Sequence, residues 1–406
     1  MNNEINLLDS FKERKSFIAI CAIALFYAIG AGALWFLLPT IAEKFTKDIT
    51  FIGVLLSIPY IVSTIVAIPS GELSDRVGRK TVGMLGLLVV ILVGIIAPSV
   101  DSLAEFIAFI VVLGISVQLI NAPARAFVMD IAPDKMTSEY FGVFISFVNL
   151  GLAVGPMIVG FLMKDSLSVG VTTVSYMYIV IGFIGVLIFS ILKDTVHERE
   201  SLCSGIKNVF TIDKIFTKGI KQYKELKSLG LLILLLTILF TITDGFIWTL
   251  EPLYYQDLNL SSTMGSLILA MFILPLIFFG LPAGYLADKY GKTKALAFGL
   301  ILSGISLISF GFSNTTPGLL ISACLTSVGL AFAWASVSGL ITDISVNKSR
   351  GSITGVWNMS MDIGYVIGPF LGGMLAGYFN NIGNAFSALG LLLLLSITFI
   401  LYKSKN

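Results

Sequence analysis

Charged residues are scarce in this chain. Asp, Glu, Lys and Arg together make up 12% of its 406 residues, about half the ~25% share of a soluble domain. So few charges cannot furnish a water-facing surface, and a soluble fold is excluded. Histidine occurs once, as His197 in a polar stretch, so neither a zinc site nor a Ser-His-Asp arrangement has support. Cys21, Cys203 and Cys324 are the only cysteines and lie more than a hundred residues apart. They form no CxxC or metal-ligand spacing and read as free thiols, and no cofactor is expected. A net charge of +2 leaves no basic footprint for nucleic acid. There is no GxxxxGK[ST] phosphate loop, so the chain has no ATPase of its own.

What fills the sequence is apolar. Hydrophobic residues make up 56%, Phe alone numbers 30, and the mean hydropathy is +0.95. Disorder is excluded by the same composition, because disordered segments are rich in charge and poor in aromatics. An all-α integral membrane protein remains, with about 20 apolar residues per span. Apolar runs fall near 16–40, 50–70, 81–99, 103–130, 139–163 and 173–192. A second set falls near 229–255, 263–287, 294–313, 317–342, 351–378 and 383–402, which predicts twelve spans. The first run exceeds the 7–15 residues of a signal-peptide core, so it reads as an uncleaved span.

Orientation follows from the basic residues. With a cytoplasmic N-terminus, 22 of the 26 Lys and Arg fall in inner segments. Only Lys44, Lys47 and Lys164 fall in outer loops, and Arg125 lies inside a span. That asymmetry fits the positive-inside rule and puts both termini in the cytoplasm of a multi-pass cell-membrane protein. The longest polar stretch, 193–228, divides an N-terminal six-helix bundle (1–192) from a C-terminal one (229–406). Its Ile206, Val209, Phe210, Ile215, Phe216 and Ile220 recur at near-helical spacing among lysines. Either an amphipathic helix on the inner leaflet or a plain basic linker accounts for that spacing.

The two halves repeat. GELSDRVGRK at 71–80 matches GYLADKYGKT at 284–293, an offset of 213 residues. The same offset joins Trp35 to Trp248, Pro39 to Pro252, Asp130 to Asp343 and Gly142 to Gly355. It also joins Gly151 to Gly364, Gly155-Pro156 to Gly368-Pro369, and Gly160 to Gly373. One gapless shift aligning so many Gly, Pro, Trp and Asp positions marks duplication of a six-helix unit. Membrane repeats of this kind form two bundles around a central site.

On these residues the chain resembles the major facilitator superfamily of secondary transporters, over essentially its whole length. Gly71, Asp75, Arg76, Gly78, Arg79 and Lys80 are similar to that family's G-x-L-x-D-R-x-G-R-K motif between spans 2 and 3. Gly142, Gly151, Gly155-Pro156 and Gly160 of span 5 are similar to the glycine-proline motif of twelve-span drug:proton antiporters. Val159 replaces one glycine of that pattern, while span 11 carries it in full. The resemblance implies that Asp75 sits at the positive N-terminal end of span 11 and that Arg79 pairs with Asp130. Such contacts would latch the cytoplasmic side shut in the outward-open state. The second copy, with Lys289, Lys292 and Thr293, is degenerate and is expected to matter less.

Intramembrane charges mark candidate sites, because an ionisable group in the bilayer is expensive and usually faces a cavity. On span 7, Thr241, Asp244, Trp248, Glu251 and Tyr255 fall on one helical face. Asp244 is deep, whereas Glu251 lies near the outer boundary, where a solvated acid is unremarkable. The equivalent stripe of span 1 offers Trp35 but no acid. Span 4 presents Gln118, Asn121 and Arg125, and Arg125 suits either a structural ion pair or an anionic substrate. Span 11 presents Asn358, Asp362 and Tyr365. Asp362 stands twelve residues from Arg350, roughly 18 Å at 1.5 Å per residue, and so near mid-membrane. Trp334 and Ser338 on span 10 complete the expected cavity lining.

Three acids against one Arg, with several aromatics, suit apolar bodies carrying positive charge. The expected function is therefore proton-coupled efflux, by alternating access, of small amphipathic or cationic compounds, with Asp362 and Asp244 as proton-coupling acids. The expected partners are a small-molecule substrate, protons and the lipid bilayer, and the expected state is a monomer. A symporter or facilitator for a sugar, organic anion or other metabolite is the rival, and a non-transporting receptor or scaffold is the alternative of another class. None of these is an enzyme.

Overall fold

A computed structural model describes residues 2–133, 136–196, 200–209, 228–345 and 350–404. Its elements are α1 (Asn2–Ala42), α2 (Ile49–Val77), α3 (Arg79–Ile96), α4 (Leu103–Ile131), α5 (Thr137–Leu162) and α6 (Leu167–Ile191). A short α7 (Leu202–Val209) follows. Then come α8 (Ser228–Asp257), α9 (Ser262–Tyr290), α10 (Lys292–Phe312), α11 (Thr316–Ser345), α12 (Arg350–Phe379) and α13 (Ile382–Ser404). Eleven of these are long and apolar enough to cross a membrane, and Ile382–Thr398 of α13 adds a further apolar helix. Each of the twelve apolar runs of the sequence therefore coincides with a helix. In hydrocarbon a backbone must satisfy its own polar groups, and a helix does so within one segment.

The 71–80 segment is less of a loop than its glycines suggest. α2 continues to Val77 and α3 begins at Arg79, so the turn is compressed into Gly78 alone. Gly78 has φ 115°, and its repeat partner Gly291, between α9 and α10, has φ 103°. Only glycine adopts that backbone without steric penalty. The charged residues just before Gly78 can stay helical because they sit on the last turn of the helix, where side chains reach water. Of the amphipathic stretch, Ile206 and Val209 fall in α7, whereas Phe210, Ile215, Phe216 and Ile220 lie outside the described residues.

The chain packs into two compact units. Unit 1 comprises Met1–Leu34, Ile61–Gly155 and Ser168–Ile212. Unit 2 comprises Trp35–Tyr60, Pro156–Leu167 and Asp213–Asn406, so it gathers the ends of α1, α2 and α5 together with the second half of the sequence.

The repeat is visible in the packing inside each unit. In unit 1, α5 meets α1 so closely that a Cβ on Gly151 or Gly155 would come within 3.0 Å of the carbonyl oxygens of Leu25 and Ile29. In unit 2, Gly364 and Gly368 of α12 stand in the same relation to the carbonyls of Ile238 and Ile242 in α8. Every one of these positions is displaced by 213 residues from its counterpart. Lipid removes the hydrophobic incentive for helices to associate, so close van der Waals approach at small residues holds such pairs together. Unit 2 also carries an aromatic cluster of Phe246, Tyr254, Phe310 and Phe386, with ring centroids 4.8–5.7 Å apart.

Candidate functional site

Within unit 2, five predicted or neighbouring side chains from four helices form one cluster. Asp244 on α8 accepts a hydrogen bond from the Tyr365 hydroxyl on α12, Oη to Oδ2 2.9 Å. Trp248 stands one turn along α8 from Asp244 and is buried. The Tyr365 ring stacks on Tyr60 of α2 at 5.7 Å and 8° between planes. Tyr60 in turn stacks on Trp35 of α1 at 4.6 Å and 29°. A carboxyl group thus stands at one end of a column of three aromatic rings, flanked by a fourth. Between Phe240 and Tyr255 every residue of α8 is buried except Asp244, which is half-buried. It is the one position on this stretch from which a polar group can meet something other than neighbouring helices.

Glu251 differs from the expectation of a solvated acid. It is 1% exposed, and among the described residues neither of its carboxyl oxygens has a hydrogen-bond partner. The reason is packing: α8 stays buried as far as Tyr255, so position near a helix end does not bring Glu251 to water.

Other predicted residues have structural partners. Thr241 turns its hydroxyl back to the Thr237 carbonyl at 3.0 Å and packs against Gly364, so it serves the α8–α12 contact. Trp334 lies against Phe240, with ring centroids 5.9 Å apart. Ser338 and Asp362 are half-buried, and Asn358 is exposed. In unit 1, Gln118 Nε2 donates to Ser63 Oγ at 2.9 Å, and the Ser70 hydroxyl donates to the Gln118 carbonyl at 2.9 Å. Gln118 therefore ties α4 to α2. Asn121 is half-buried and Arg125 is exposed on the same helix.

Tyr60 and Trp357 escaped the sequence reading. Tyr60 sits in an apolar run directly after Pro59, and a lone tyrosine there was the only signal. Trp357 donates its indole N–H to Thr237 Oγ1 at 3.1 Å.

The 71–80 motif is knitted into unit 1. Arg79 bonds Asp130 Oδ2 through Nε at 3.2 Å and Ser74 Oγ through Nη1 at 2.9 Å, and it also pairs with Asp75. Asp130 receives a further hydrogen bond from Thr195 Oγ1 at 2.5 Å. Arg76 pairs with Glu200 at 3.1 Å. Gly71 has open space around its α-carbon, and a Cβ on Gly78 would collide with Asp194. The Arg79–Asp130 pair lies wholly within unit 1. Residues 346–349, at the start of span 11, lie outside the described residues. The second copy is not idle. Lys292 pairs with Asp343 at 2.8 Å and with Asp288 at 3.9 Å, the repeat equivalents of the Arg79 contacts.

A model of the Major Facilitator Superfamily matches residues 20–243 and again 233–405. The tetracycline resistance protein of class H from Pasteurella multocida is 25% identical over 380 residues, 90% of each chain. Multidrug resistance protein 1 of Bacillus subtilis is 29% identical over 185 residues, 45% of this chain. That match spans about half of the Bacillus protein, 48% of its length. Among solved structures, a bacterial homolog of the human lysosomal transporter Spinster superposes with a TM-score of 0.76. It covers 97% of each chain at 14% identity, a likeness of fold alone. With twelve apolar helices among the described residues, a duplicated six-helix pattern and a family model matched over residues 20–405, the chain belongs to the Major Facilitator Superfamily, a family of membrane transporters and not of enzymes.

Proposed function

We propose that this protein is a proton-coupled exporter of small amphipathic or cationic compounds, in which two bundles, 1–192 and 229–406, alternate access to a central site. The observation that carries the reading is the Asp244 cluster: a carboxyl group held by Tyr365, with Trp248 one turn along the same helix, beside the stacked rings of Tyr60 and Trp35. Aromatic faces and a carboxylate are complementary to an apolar body with positive charge. A proton and an organic cation can each neutralise the same acid, and both together are disfavoured, so competition alone couples the two fluxes. Asp362, on the same helix as Tyr365, serves as the second exchangeable acid. Both termini lie in the cytoplasm, as the distribution of Lys and Arg implies. The resistance proteins to which the chain is similar support export as the direction.

The test is transport in proteoliposomes with an imposed pH gradient and a panel of cationic dyes, sugars and organic acids. Gradient-driven accumulation of the cations is expected. Counterflow that ignores the gradient would make the protein a facilitator. Movement of organic acids that depends on Arg125 would favour the metabolite reading instead.

A further inference from the structure

At the end of the spans away from the 71–80 motif, unit 2 contains two hydrogen bonds that are copies of each other. Thr50, in the first turn of α2, donates its hydroxyl to the carbonyl of Gly373 in α12 at 3.3 Å. Thr263, in the first turn of α9, donates its hydroxyl to the carbonyl of Gly160 in α5 at 3.2 Å. Thr263 is 213 residues beyond Thr50, and Gly373 is 213 beyond Gly160. Both carbonyls belong to glycines set in close helix contacts. A Cβ on Gly373 would run into Gly53 and the Ile49 carbonyl, and one on Gly160 would strike Ser266. Each bond also joins a span from one half of the sequence to a span from the other.

One of the two is reinforced. Ser262 donates its hydroxyl to the same Gly160 carbonyl at 2.9 Å. Asp165, in the turn after α5, accepts the Ser262 backbone N–H at 2.6 Å and returns its own N–H to Ser262 Oγ at 3.2 Å. Lys164 and Asp165 both have positive φ, 46° and 62°, a tight turn that Asp tolerates better than most residues. A carboxylate at the first turn of α9 also meets the positive end of that helix. The repeat equivalent of Asp165 is Tyr378, which is 79% exposed, so among the described residues the α2–α12 copy lacks that cross-seam carboxylate, and the acid before α2, Asp48, accepts the Thr50 backbone N–H within its own turn at 2.9 Å.

We propose that Thr50 with Gly373 and Thr263 with Gly160 are paired clasps that close this end of the transporter in the state seen here, with Asp165 locking one of them. The inference rests on the alternating-access reading, since opening this end separates spans of the two halves and must break both bonds. It adds an asymmetry that the repeat alone does not contain: the α2–α12 seam opens first and the α5–α9 seam last.

Spin labels on the full-length protein in nanodiscs test this, at Lys47→Cys with Asn381→Cys across one seam and Lys164→Cys with Asn259→Cys across the other. Distance distributions are compared in the unaltered background and with Thr50→Val, Thr263→Val or Asp165→Asn. A neutral hydrogen bond lost from the closed state should raise the open population roughly two- to tenfold. Thr50→Val should act at the first seam and Asp165→Asn at the second. Asp165→Asn and the single Thr variants keep the test open if a combined variant misfolds. Two distances whose ratio none of the variants changes would overturn the clasps. A single distance under all conditions, with no second state to populate, would instead overturn alternating access itself.

Discussion

Asp244 and Tyr365 meet across 2.9 Å, which joins the acid of α8 to an aromatic column made by α12, α2 and α1. Tyr365→Phe removes the donor while leaving the ring to stack on Tyr60. A hydrogen bond to a charged group contributes about 1.5–3 kcal/mol, so binding of cationic dyes should weaken by roughly tenfold or more. Neutral compounds should lose much less. Equilibrium binding of a matched cationic and neutral pair checks this, and equal losses for both would detach Asp244 from cation recognition.

Asp362 and Asp244 are expected to fail differently. Asp362→Asn should abolish accumulation against a gradient while leaving downhill exchange in place. Asp244→Asn should weaken cation binding first. Uphill and downhill transport measured against pH in the same liposomes separates the two, and unchanged uphill transport in both variants would remove these acids from coupling.

Asp75 is exposed and bonded to Arg79 at the water boundary, so Asp75→Asn should insert and fold almost normally. Transport should nevertheless fall, because each 1.4 kcal/mol lost from one access state changes its ratio to the other about tenfold. Lys292→Ala, which breaks the paired contacts to Asp343 and Asp288, should lower transport in the same way. Transport equal to wild type in both variants, at matched protein levels in the membrane, would reduce the two motifs to topology markers.

Topology has a direct readout. Lys47→Cys, Lys164→Cys and Asn381→Cys should react with an impermeant thiol reagent added to intact cells, while Lys80→Cys, Lys218→Cys and Lys292→Cys should not. The reverse pattern would invert the orientation.

The backbone N–H of Ser262 holds the Asp165 carboxyl below the usual range for aspartate. Its contribution to closure is therefore complete above the ordinary aspartate range, near pH 3.9, and is lost as pH falls through the depressed value. The closed fraction at the α5–α9 seam should stay flat from neutral pH down to about pH 4 and decline only in stronger acid. Asp165→Asn should show no such decline. Distance measurements across that seam over a pH series decide the point, and a transition near neutral pH would have to come from another group.

The twelve spans were legible because hydropathy in lipid is nearly sufficient to place a helix. The repeat was legible because glycine and proline keep their places when packing fixes them, and the matched contacts of Gly155 and Gly368 are that packing. What depends on neighbours was not legible. Gln118 carries the chemistry of a cavity lining, yet its amide is taken by Ser63, which no spacing within α4 reveals. Glu251 sits near the end of its helix, yet is buried because other helices cover that end. Tyr60 interrupts an apolar run without periodicity, and only the stack with Trp35 gives it meaning.

The four-residue rhythm at which α1 meets α5, and α8 meets α12, has a mechanical consequence. Gly151 with Gly155, and Gly364 with Gly368, are notches that seat a neighbour's carbonyl. Sliding one helix by a fraction of a turn would drive side chains into spaces sized for hydrogen atoms, so the engagement is discrete, like teeth in a gear. Shape change in such a machine must come from tilting whole engaged pairs, or from flexing just beyond the teeth at Pro156 and Pro369, where the helix ladder lacks a donor. Shear, the other common mode of domain motion, is the one this gearing forbids.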